Sequence, residues 1–131
     1  MSVSLAQAQA IVQRALEAAA AQSVKIAAVV LDMGGHIVAA ARMDGVGALN
    51  LDVARRKANA VVNLGVSTAE MLQMTSRDPL ITTVLHAEPS IVMLPGGLPI
   101  REGEQLTGAL GVAGAFYPQD QAIGEYAVAP P

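Results

Sequence analysis

The chain has 131 residues, 8 basic and 11 acidic for a net charge of -3, and it is 53% hydrophobic with a mean hydropathy of +0.44. One domain is the natural expectation at this length, covering residues 1–131 with an ordered core over about 4–127. The acidic balance argues against a nucleic-acid partner; the lack of cysteine excludes disulfides, thiolate metal sites and a cysteine nucleophile; and no apolar run reaches the ~20 residues of a membrane span.

Ser4-Leu5-Ala6-Gln7 has the form of a capping box, in which a hydroxyl and a side-chain amide satisfy orphan backbone donors. Leu5, Ala8, Ile11, Val12, Ala15, Leu16 and Ala19 then recur at helical spacing and predict a helix over 4–22. That start has no basic leader, so no secretory signal is expected, and the absence of cysteine fits an expected cytoplasmic location. Next, the runs VKIAAVVLD and HIVAAAR flank Asp32-Met33-Gly34-Gly35, turn chemistry that predicts a β-hairpin. Alternation along its second strand places Ile37, Ala39, Ala41 and Met43 on the core side, with His36, Val38, Ala40 and Arg42 on the other. On a straight strand His36 and Arg42 lie about 20 Å apart and cannot grip one small ligand atom.

Residues 49–64 return to helical period. Val53, Lys57, Ala60, Val61 and Leu64 form one stripe, and Asp52, Arg55, Arg56, Asn59 and Asn63 lie mainly opposite. A lysine in an apolar stripe must snorkel, pair with an acid or face a cavity. Asp44 and Asp120 are the candidate acids, Asp44 preferred, with Arg42 expected at the same pocket because strand end and helix stripe converge there. Ser67 opens another capping box, and Asp78-Pro79 reads as an N-cap with proline at the first helical position, the helix stopping before Pro89. His86, late in that helix, is explained by the helix dipole.

The stretch from Ser90 to Gly114 reads as about three strands, broken at Pro95-Gly96-Gly97 and at Glu102-Gly103-Glu104, and YPQDQAIGEYAV reads as a closing helix. Gly96 and Gly97 either turn the chain or bring bare N–H groups to a ligand. Hairpin and meander connections favour an α+β fold, an antiparallel sheet of about five strands flanked by helices. There is no HExxH, no GxSxG and no dinucleotide fingerprint. So apolar a chain without a membrane span is expected to hide surface between subunits as a homo-oligomer.

VVLDMGGHIVAAARMDG, ARRKANAVVNLGVST, LPGGLPI and GALGVAG with QDQ, in that order, resemble the GlcG/HbpS-like haem-binding family, which includes the C-terminal domain of PduO-type corrinoid adenosyltransferases. The resemblance runs over about residues 4–127 and implies a profilin/GAF-like sandwich, oligomeric assembly, and haem or a corrinoid as cofactor. Family positions fall on Asp32, Gly34, Gly35, His36, Arg42, Met43, Asp44, Gly45, Lys57, Pro95, Gly96, Gly97, Gln119 and Asp120. Departures are Ala113 for a usual serine, Gln121 for a usual acid, and Leu49-Asn50 where a serine is common.

Two functions of different classes follow. A binding module for haem, a corrinoid or another anionic cofactor would use His36, Arg42, Lys57, Pro95, Gly96, Gly97, Tyr117 and Gln119, with His36 as metal ligand if iron binds. A cofactor-independent isomerase, lyase or hydratase for a small organic acid would use Arg42, Asp44, Lys57 and Asp120 as its ionisable set.

Overall fold

The computed structural model describes residues 1–130. Helix α1 (Leu5–Ala21) begins at Ser4, whose hydroxyl accepts from the Gln7 N–H while Gln7 Oε1 accepts from the Ser4 N–H. Strands β1 (Ala27–Asp32) and β2 (Ile37–Arg42) form the hairpin. Asp32 turns it, its Oδ1 accepting from the Gly34 and His36 N–H groups at 2.9 and 3.0 Å. Then come α2 (Leu49–Leu64), α3 (Thr68–Thr75), α4 (Pro79–Ala87), β3 (Gly97–Glu102), β4 (Gln105–Ala113) and α5 (Tyr117–Val128). Ser67 and Asp78 cap α3 and α4 through their side-chain oxygens.

The sheet is antiparallel in the order β2-β1-β4-β3. Successive residues of β1 face opposite sides, which divides the core in two. Ala28 and Val30 pack with Val12, Leu110, Val112 and Ile123 under α1 and α5. Ala27, Val29 and Leu31 pack with Ala54, Ala58 and Val61 of α2. The main chain of α2 rests directly on β4, since a Cβ at Gly111 would lie 1.8 Å from the Ala54 carbonyl oxygen.

The expected α+β architecture holds, with four strands rather than about five. The apolar run after Ser90 finds no sheet partner. Val92 N–H donates to the Arg56 carbonyl of α2 at 3.3 Å, and Met93 is buried. The expected faces of β2 also need correction. Its register jumps from Val30↔Ala39 to Leu31↔Ile37, so Val38 is an extra, bulged residue. That insertion reverses the alternation and leaves Ile37 57% exposed instead of in the core beside Ala39.

Candidate functional site

One charged residue lies in the buried stripe of α2. Lys57 is 2% exposed, among Ala54, Ala58, Ala60 and Val61. An ammonium removed from water needs polar partners inside. It donates to the Val112 carbonyl at 2.9 Å and to Asp120 Oδ2 at 3.2 Å, which uses two of its three N–H donors. Asp120 is equally buried, and its other oxygen accepts from the Ala115 N–H at 3.1 Å. Lys57 belongs to the helix on one face of the sheet and Asp120 to a helix on the other, so the pair joins both layers around the end of β4. Burial lowers the Lys57 pKa and raises that of Asp120, each against the pull of its partner's charge. Both groups are pushed toward their neutral forms.

Pro95-Gly96-Gly97 seals one side of this pair. Gly96 has φ +126°, and a Cβ there would lie 2.5 Å from the Val112 carbonyl oxygen and 2.8 Å from Lys57 Nζ. The bend's amides are occupied: Gly96 N–H donates to Gln121 Oε1 at 3.0 Å and Gly97 N–H to Thr68 Oγ1 at 2.9 Å. They form a wall rather than the bare-amide ligand cradle that the sequence allows. The other side opens into a cavity of about 200 Å³ lined by Asn50, Val53, Leu94 and Ala115, with Phe116 and Tyr117 beside Lys57 and Asp120. Phe116 is 64% and Tyr117 42% exposed, and their ring centroids are 4.6 Å apart. With Leu94, 45% exposed, they make an apolar rim over a polar floor.

The remaining candidates lie elsewhere. Gln119 is a cap, its Oε1 accepting from the Phe116 N–H at 3.2 Å. Arg42 and Asp44 line a separate, open cavity of about 490 Å³ with Lys25 and Glu17, and Arg42 donates to the Val46 carbonyl. The expected meeting of Lys57 with Asp44 and Arg42 is therefore corrected: Asp120 is the partner. The reason is topological, because β1 separates β2 from β4, whose end receives Lys57. The His36 side chain is 80% exposed, its Nδ1 3.4 Å from Asp32 Oδ1. It sits at the other end of the sheet, since Asp32 pairs with Gly108 whereas Ala27 pairs with Ala113, an offset of about 16 Å along the strand. Sequence reasoning missed Asn50, Leu94 and Phe116. Phe116 carried a signal, as one of very few aromatic residues in the chain; Asn50 stood out only as a departure from the family pattern, and Leu94 only as the first residue of LPGGLPI.

The family described as haem degrading protein HbpS-like matches residues 3–129. The chain belongs to the HbpS-like family. A Citrobacter freundii relative, an uncharacterized 15.0 kDa protein in the dhaT-dhaS intergenic region, is 30% identical over 122 residues, 92% of this chain and 83% of that protein. A double mutant of Streptomyces reticuli HbpS superposes with a TM-score of 0.88 at 26% identity, covering 98% of this chain and 86% of the other. The PduOC:haem complex superposes at 0.87 with 22% identity, covering 98% and 94%, a likeness of fold.

Haem can be tested against the residues of this HbpS-like chain. Cofactor pockets usually run to roughly 300–1,000 Å³, and the Lys57 cavity, at about 200 Å³, is smaller. A whole macrocycle does not fit within it. His36 does not face this cavity and does not fit as its axial ligand. Among the described residues no cluster of three or more His, Cys, Asp or Glu is placed to hold a bare metal ion.

Proposed function

We propose that this protein binds an anionic ligand of the haem class, its carboxylate beside Lys57 and its apolar body across Leu94, Phe116 and Tyr117. The observation that carries this reading is an ammonium buried at the floor of an apolar-rimmed cavity. The HbpS-like family and the likeness to PduOC, solved with haem, support haem as the representative ligand; a corrinoid rests on the sequence resemblance alone. Bound haem would supply redox-active iron. The chain's residues anchor the carboxylate, cover the ring's apolar edge and keep water from the Lys57 amine. An arriving carboxylate meets Asp120, so binding is coupled to protonation of Asp120, whose pKa burial already raises.

Haemin titration followed by visible absorbance tests this. The expected result is saturable binding that weakens at least about tenfold, ~1.4 kcal/mol, in Phe116→Ser and in Lys57→Met, with His36→Ala unchanged. Absence of saturable binding, or loss on His36→Ala with Lys57→Met unaffected, overturns it. The reading includes a homo-oligomer. Helix α4 buries none of its nine residues and exposes Leu80, Ile81 and Val84, and so short a helix does not hold itself in water. A second copy is the proposed cover. A cytoplasmic location goes with the cysteine-free sequence, and no helix of the described residues is long and apolar enough to cross a membrane.

A buried acid–base pair at the floor of a small cavity favours a second reading, a cofactor-independent isomerase, lyase or hydratase for a small organic acid. Mass spectrometry of a co-purified ligand separates the two readings: a tetrapyrrole supports the first, a small organic acid the second.

A further inference from the structure

The Lys57 cavity has a property that anion binding does not use. Its floor is an ion pair of no net charge, and the rest of its lining is Val53, Leu94, Ala113, Gly114, Ala115, Phe116, Tyr117 and the single amide of Asn50, with no second cation. At about 200 Å³ it has room for about six waters at roughly 30 Å³ each. Such a space also admits a small uncharged molecule. The Gly96 wall closes the opposite side against Lys57 Nζ, so a molecule in this cavity approaches the amine from the rim alone. Desolvated lysines do carbonyl chemistry because desolvation favours the nucleophilic free amine; the Asp120 charge pulls the other way, and its carboxylate is the group in reach to take the proton.

We propose that Lys57 condenses with a short-chain aldehyde in this cavity to form an imine, with Asp120 carrying the proton. Lys57 begins as an ammonium facing the Asp120 carboxylate and passes one proton to it. The free amine then attacks the carbonyl carbon, forming a C–N bond, and the nitrogen's extra proton moves to the carbonyl oxygen. Protonated Asp120 gives its proton to the resulting hydroxyl, which leaves as water as the C–O bond breaks. The product is an iminium beside a carboxylate, the same net charge as at the start. No oxidant or reductant is needed, and the buried site never holds an uncompensated charge. The lowered Lys57 pKa and raised Asp120 pKa act in the direction this sequence requires. The inference is independent of carboxylate binding and stands if haemin fails to bind.

The sequence supplies an internal control. Lys25 and Lys57 are the only lysines, and Lys25 is exposed. The folded protein is incubated near neutral pH with propionaldehyde and cyanoborohydride, which reduces an imine to a stable amine, and the peptides are read by mass spectrometry. The expected result is at least tenfold more propyl adduct on Lys57 than on Lys25, equal labelling of both in urea, and no Lys57 adduct with a bulky aldehyde that still labels Lys25. Asp120→Asn keeps the lysine and removes the proton carrier, and it should lower the Lys57 yield at least tenfold while Lys25 is unaffected. Labelling of Lys25 with Lys57 unmodified in the folded protein overturns the proposal, as does Lys57 labelling that survives Asp120→Asn or ignores aldehyde size.

Discussion

Replacing Lys57 by methionine isolates the charge from the packing. The thioether keeps the apolar stem of a residue only 2% exposed, and what is lost is the ammonium that donates to Val112 and Asp120. Asp120 is left with one donor, the Ala115 N–H at 3.1 Å, for a carboxylate that stays buried. Breaking one side of such a pair costs about 3–5 kcal/mol, a large share of the roughly 5–15 kcal/mol that holds a domain folded. The cost depends on pH. Without Lys57 the native pKa of Asp120 rises further above its unfolded value of about 3.9. The native state then binds more protons than the unfolded one in the window between those two values, so stability falls as pH rises through it. Urea unfolding followed by far-UV circular dichroism should show the full loss near about pH 8 and a clearly smaller one near about pH 5. Adding Asp120→Leu should restore much of the stability, because an apolar pair needs no desolvation of charge. A loss below about 1 kcal/mol at both pH values, well short of the expected cost, would refute the buried-pair reasoning.

Gly96→Ala should cost about 1–3 kcal/mol for its backbone region alone, and more because its Cβ would meet Val112 and Lys57; thermal melting checks this, and an unchanged midpoint would show that the wall yields freely. Haemin affinity should fall as pH rises, by up to about tenfold per unit where one proton is taken up; equal affinities near about pH 6 and about pH 8 would remove Asp120 from the binding step. Leu80→Asp with Val84→Asp should reduce the assembly seen by light scattering without lowering far-UV helicity by more than α4 itself; an unchanged mass would leave α4 with some other cover.

What was legible in the sequence was local. Ser4, Ser67 and Asp78 announced three helix starts because capping is chemistry among neighbours, and the two glycines after Asp32 announced the hairpin for the same reason. Lys57 stood out as a charge within an apolar stripe, with snorkelling, an acid partner and a cavity all open, and the structure buries it beside an acid. Its partner was a harder matter. Asp44 and Asp120 were both acids at suitable chain positions, and strand order decided between them. Two errors have the same origin. The Val38 bulge depends on how β2 meets β1, and the Ile91 run meets the main chain of α2 through the Val92 N–H instead of joining the sheet. Pairing of distant segments sets these features, and no short window of residues carries it.

The Lys57–Asp120 bridge also bears on the order in which the chain folds. Its two residues are 63 positions apart, and Asp120 lies on the last helix. A contact so distant in sequence forms only once the loop entropy between its ends has been overcome. Until α5 docks, Lys57 lacks its acid, so docking is the step that brings the pair together and sets its proton affinities. Local opening of the C-terminal helix reverses that step. The exchange rates of the Ile123 and Ala127 amides would therefore report, at equilibrium, how often this lysine reverts to an ordinary one.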